Sequence, residues 1–237
     1  MKSSLLSIII CFILSYNTLA QSQVKPIEYR FEKGEKGLVD FITQGVIFPK
    51  VSQVIGSIGL SISGISITPA GKIENIKIIN PIDEFIDTEV IRLLKSTSGF
   101  WLKCDTVSLN QTFFIQIAFV ISGSALKISV TSPVSYRFFI EPVTITNMNL
   151  ENDGASLPQS DELVAIKCIV LVSSQRYNEA LDFINELIKR NPFKKELYQY
   201  RITIHKKMNR QDLIEADVQK LTNFADGLSL DEILNKN

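Results

Sequence analysis

The chain has 237 residues, and its 25 Lys and Arg are matched by 25 Asp and Glu, so net charge gives no pull toward nucleic acid or an anionic membrane surface. A hydrophobic content of 45% and a mean hydropathy of +0.15 exclude a disordered chain. The length suffices for one large domain or two small ones, and the order of the text favours two.

The first residues carry Lys2, an apolar run from Leu5 to Leu14, and then Ser15, Tyr16, Asn17 and Thr18 before Leu19-Ala20. The run is shorter than the roughly 20 residues of a membrane-spanning helix, and small residues stand at the processing positions. The expectation is a secretory signal peptide over 1–20, cleaved after Ala20. Ile10 stands before Cys11 where a lipoprotein needs a small residue, so lipidation is not expected. Loss of Cys11 leaves Cys104 and Cys168, which are read as unpaired buried thiols in separate domains.

Residues 21–36 read as an extended, polar lead-in. Leu38, Phe41 and Ile42 then fall at helical spacing before Gly45, which predicts a short helix. From Gln53 to Ile79 the period switches to two, with Ile58, Leu60 and Ile62 on one face and Ile65 and Ile67 after a slip at Gly64, read as a β-bulge. Thr68-Pro69-Ala70-Gly71 predicts the turn, and Ile73, Ile76, Ile78 and Ile79 the return strand.

Asp83 to Lys95 predicts a helix with the stripe Ile86, Val90, Leu93 and Leu94. Asp83, Glu84 and Asp87 sit near its positive end, which explains these carboxylates without chemistry. Trp101, the single tryptophan, reads as a core plug. Thr112 to Ile121 predicts a strand apolar on both faces, hence covered on both. The whole is an α+β domain over 37–121 with helices on one face of an antiparallel sheet. A linker with short strands at Ile128–Val130 and Phe138–Ile140 fills 122–160. Residues 161–225 read as amphipathic helices broken at Ser173-Ser174, Asn191-Pro192 and Met208-Asn209-Arg210, and 226–237 as a tail.

His205 is the single histidine and has no companions at ligand spacing, so it reads as a surface or concave-face residue. No glycine-rich loop, nucleophile elbow or zinc motif occurs in the sequence. The expectation is no enzyme, no catalytic or metal residue, and no cofactor.

The run Gly37 to Ile42 before Phe48-Pro49, the turn Ile67 to Ile73, the helix Ile86 to Leu94, Phe100-Trp101 and the strand Phe113 to Phe119 stand in the order and spacing of the TonB C-terminal domain family. The first domain resembles that family, with Lys103 where the family has proline after its tryptophan. The resemblance implies capture of an extended peptide of an outer-membrane protein by strand addition at the sheet edge. It places the peptide-binding residues at Phe48, Pro49, Lys50, Phe113, Ile115, Ile117 and Phe119, the alternative being that the edge is covered by Ile128–Val130 or Phe138–Ile140. The second domain resembles a tetratricopeptide repeat pair. Tyr177, Ala180, Ile184 and Pro192 hold the motif positions, a shift of 34 residues reaches Gln211, Ile214 and Val218, and Cys168 stands where two helices approach closely. Together these imply a non-catalytic, protein-binding module, periplasmic or outer-membrane-associated, with a homodimer through the strands left open. The alternative is a TonB-type component of energised outer-membrane transport, which requires a retained N-terminal anchor.

Overall fold

The computed structural model describes residues 30–103, 112–121, 143–147 and 159–225. The expected signal peptide, Cys104, the segments 128–130 and 138–140 and the tail lie outside the described residues.

The fold is α+β. Helix α1 (Gly34–Gly45) starts where Lys33 and Gly34 both take positive φ, 66° and 70°, and it buries Leu38 and Ile42 completely. Helix α2 (Lys50–Ile55) occupies residues expected to lead into a strand. Pro49 presets φ at −62° ahead of it, Gln53 Nε2 donates to the Phe48 carbonyl at 2.6 Å, and Gly56 closes it at φ 76°. These local bonds outweigh the weak alternation that suggested a strand from Gln53.

Strands β1 (Gly59–Ile67) and β2 (Ile73–Asn80) form the hairpin. The bulge sits elsewhere than at Gly64. Strand β1 runs unbroken through Gly64 against β3 (Thr112–Ile121), while Ile79 and Glu74 are the extra residues of β2 at its two register shifts with β1. Bulges on an outer strand disrupt the ladder that a foreign strand would join.

Helix α3 (Glu84–Ser96) is capped by Asp83, whose carboxylate accepts from the Phe85 and Ile86 amides at 2.9 and 2.8 Å. Strand β4 (Val143–Asn147) completes the order β2-β1-β3-β4. The sheet is mixed rather than antiparallel, because β4 pairs with β3 in parallel from Ile117↔Val143 to Ile121↔Asn147. Only a long connection allows that orientation, and 21 residues separate the two strands.

The core lies between one sheet face and helices α1 and α3. Ile65, Phe113, Ile115, Ile117 and Phe119 meet Leu38, Ile42, Ile86, Val90 and Leu94 there. Leu60, Ile62, Phe114 and Ala118, on the other face, are also buried, as a strand apolar on both sides requires. Trp101 is buried, with its indole N–H donated to Thr97 Oγ1 at 3.0 Å.

Helices α4 (Asp161–Ser173), α5 (Tyr177–Arg190), α6 (Lys195–Lys207) and α7 (Gln211–Ala225) end at the expected breaks. Val164, Cys168, Ala180, Ile184, Leu187 and Ile188 form their core, and the free Cys168 thiol donates to the Ala180 carbonyl at 3.4 Å. Gln175 and Asn209, 34 residues apart, both take the left-handed conformation after a helix. In each case the next amide returns to a carbonyl in the final turn, Arg176 to Leu171 and Arg210 to His205. Arg190 is buried but satisfied by Asp161, Glu186 and the Gln159 carbonyl.

Candidate functional site at the outer edge of the third strand

The sequence-derived site residues divide into two groups. Phe113, Ile115, Ile117 and Phe119 alternate along β3 on its helix-facing side, each at most 3% exposed. They hold the core and have no surface with which to read a ligand's side chains. Their contribution to binding is through the backbone of β3, whose amides and carbonyls point along the sheet. Phe48 joins them in the core, edge-on to Phe119 with ring centroids 5.3 Å apart. Pro49 and Lys50 follow at the start of α2, half-buried and exposed respectively.

The Phe48 turn is held in place by the helix beneath it. The Glu89 carboxylate accepts the Ile47 amide at 2.7 Å and pairs with Arg92 through two bonds of 2.6 Å, while Arg92 also donates to the Gly45 carbonyl at 2.7 Å. Ser52 Oγ donates to Asp83 at 3.0 Å. A side-chain frame of this kind fixes a loop that has little backbone pairing of its own. Around it Ile47, Val51, Val54 and Ile55 are 48–63% exposed, an apolar shelf beside the end of β3 that Phe119 marks.

The edge itself is occupied over Ile117–Ile121, by Val143–Asn147 and by neither of the segments expected from the sequence. Thr144 and Thr146 face solvent, and Ile145 alone packs against the core, half-buried. The run Val-Thr-Ile-Thr alternates β-branched residues, a strand signal that sequence reasoning passed over inside an irregular stretch. The α2 shelf was also missed, because a six-residue helix leaves too short a period to detect.

His205 is buried rather than on a surface, 5% exposed. Its Nε2 lies 3.7 Å from Asp217, which is bound by Arg201 through Nε at 2.8 Å, and Arg201 also reaches Asn185 at 2.6 Å. Burial holds the imidazole below its ordinary pKa, against the attraction of Asp217. Asp87 accepts the Ile82 amide at 3.1 Å, and burial raises its carboxyl above the ordinary value. Among the described residues no cluster of three His, Cys, Asp or Glu is placed to hold a metal ion, and no helix is long and apolar enough to cross a membrane.

No family model matches the chain, and no curated protein matches it. The solution structure of the TonB C-terminal domain of Helicobacter pylori is similar over 35% of this chain and 88% of that domain, at 19% identity and a TM-score of 0.30. That is a weak likeness.

Proposed function

We propose that this chain is an exported, non-catalytic protein-binding module of the cell envelope, periplasmic or outer-membrane-associated, which holds an extended segment of a partner protein at the outer edge of β3. The observation that carries the reading is the occupancy of that edge by Val143–Asn147: five residues in parallel pairing, attached by backbone and by one half-buried side chain. An edge that accepts so short a segment takes its affinity from main-chain hydrogen bonds and its register from a single apolar position. The partner class is an extended peptide of an envelope protein, apolar and β-branched at the position of Ile145, with the α2 shelf as a flanking contact. The 34-residue recurrence of the helix-end geometry in α4–α7 supports a tetratricopeptide-like character for the second part of the chain.

The test is a variant in which 143–147 is replaced by a Gly/Ser segment, titrated with a fluorescent peptide carrying Val-Thr-Ile-Thr-Asn and its native neighbours. Saturable binding is expected, lost when the central Ile is changed to Asp. A variant that keeps its circular dichroism yet binds neither peptide sinks the reading.

A further inference from the structure

Helix α4 is apolar nearly all the way round, and only one side of it is used. Val164 and Cys168 are buried against the helical core. Leu163, Ile166, Ile169 and Val170 are 43%, 58%, 53% and 58% exposed. At 3.6 residues per turn these four lie within about a third of the helix circumference, a continuous stripe along its length. The charged residue inside that span, Lys167, is drawn aside: its ammonium donates to Gln159 Oε1 at 2.7 Å and sits 5.7 Å from the centre of the Phe183 ring.

Position in the fold adds to this. The helices pack in series, α4 on α5, α5 on α6 and α6 on α7, so α4 is the terminal arm of the array. Terminal units of stacked-helix arrays ordinarily carry a polar outer face, because nothing follows to cover an apolar one.

We infer that the α4 stripe is a self-association surface, on which a second copy of this chain packs its own α4 antiparallel across a two-fold axis. A two-fold contact requires a self-complementary patch, and a stripe of aliphatic residues free of charge meets that requirement. Charge sets the direction. Parallel pairing would bring Asp161 and Glu162 of the two copies together. Antiparallel pairing about the Ile166–Ile169 centre sets exposed Glu162 of one copy near exposed Arg176 of the other. The stripe offers on the order of a few hundred Å² per copy, at the low end for specific interfaces, so the dimer is a weak one that forms at micromolar or higher concentration.

Sedimentation velocity of the full chain across micromolar to millimolar concentrations tests this. A concentration-dependent monomer–dimer equilibrium is expected. Ile166→Lys and Ile169→Glu should each weaken it about tenfold or more with circular dichroism and melting unchanged. An equal mixture of the two variants should associate more tightly than either alone, since antiparallel pairing sets the new lysine opposite the new glutamate. A wild-type chain that stays monomeric throughout, or variants that dimerise as it does, overturns the inference. A monomer that binds lipid vesicles through Ile166 overturns it equally and assigns the stripe to a membrane surface.

Discussion

The Asn80 side-chain amide donates to the Lys189 carbonyl at 3.2 Å and to the Leu60 carbonyl at 2.7 Å, joining the end of β2 both to its own sheet and to the last turn of α5. Two carbonyls from different parts of the chain thus share one buried amide group. Gly59 stands beside the same junction, where a Cβ would lie 2.9 Å from the Lys189 carbonyl oxygen and 3.1 Å from Ile82. Sheet and helical array approach so closely there because β1 begins with a residue that has no side chain.

Asn80→Leu keeps the volume and removes both donors, leaving buried carbonyl oxygens without the amide. The expected loss is about 1–3 kcal/mol, read as a lower midpoint in urea unfolding. Should the midpoint stay where it is, water serves those carbonyls as well as the amide does, and the junction contributes little.

A second lock closes the hairpin. Gly71 has φ +78°, and a Cβ there would fall 2.0 Å from the Trp101 carbonyl oxygen, while the Gly71 carbonyl accepts the Gly99 amide at 3.1 Å. Gly71→Ala therefore meets left-handed strain and a backbone collision together, and a loss of at least about 2 kcal/mol is expected. Gly99→Ala is the control: φ is +97° but nothing lies within 4 Å of the added carbon, so only the strain of about 1–2 kcal/mol applies. Fluorescence of the single tryptophan, which packs at this junction, follows both unfolding transitions. Equal losses in the two variants would show that the contact with Trp101 relaxes freely.

How much of this was written in the sequence follows from range. The α3 stripe, the Asp83 cap, the Thr68–Gly71 turn and the breaks between α4 and α7 depend on neighbours within a few residues, and each was legible from composition and period. Trp101 as a plug was legible from its place after a helix. The bulge was misplaced at Gly64 because a bulge belongs to a pairing and not to a strand; the extra residues, Ile79 and Glu74, carry no mark of their own. The same limit governs the site. Phe113, Ile115, Ile117 and Phe119 lie on a strand apolar on both faces, so period alone could not tell inward side chains from outward ones. Which strand covers the edge of β3 depends on a chain reversal 21 residues long, beyond any local signal.

The remaining prediction concerns pH, and it is clean because the chain has one histidine. His205 is packed with Asp217 and Arg201 on facing helices and with Arg210 and Asp212 at the turn between them, and its Nδ1 is buried with no hydrogen-bond partner. Burial lowers the pKa and Asp217 opposes it, with burial the larger influence. The unfolded chain takes up a proton near the ordinary value of 6.5, and the folded chain resists it. The unfolded state then binds more protons below 6.5, so stability is fully present above that value and declines as pH falls, until the folded imidazole also protonates. The slope is at most about 1.4 kcal/mol per pH unit. Urea midpoints measured from about pH 7.5 down to 5.5 should fall in the wild type, and His205→Phe should flatten the part of that fall due to the imidazole. The imidazole proton resonance of the folded chain, unambiguous with a single histidine, should titrate below 6.5. A midpoint above 6.5 would mean that Asp217 outweighs burial, and the predicted direction of the pH dependence would reverse.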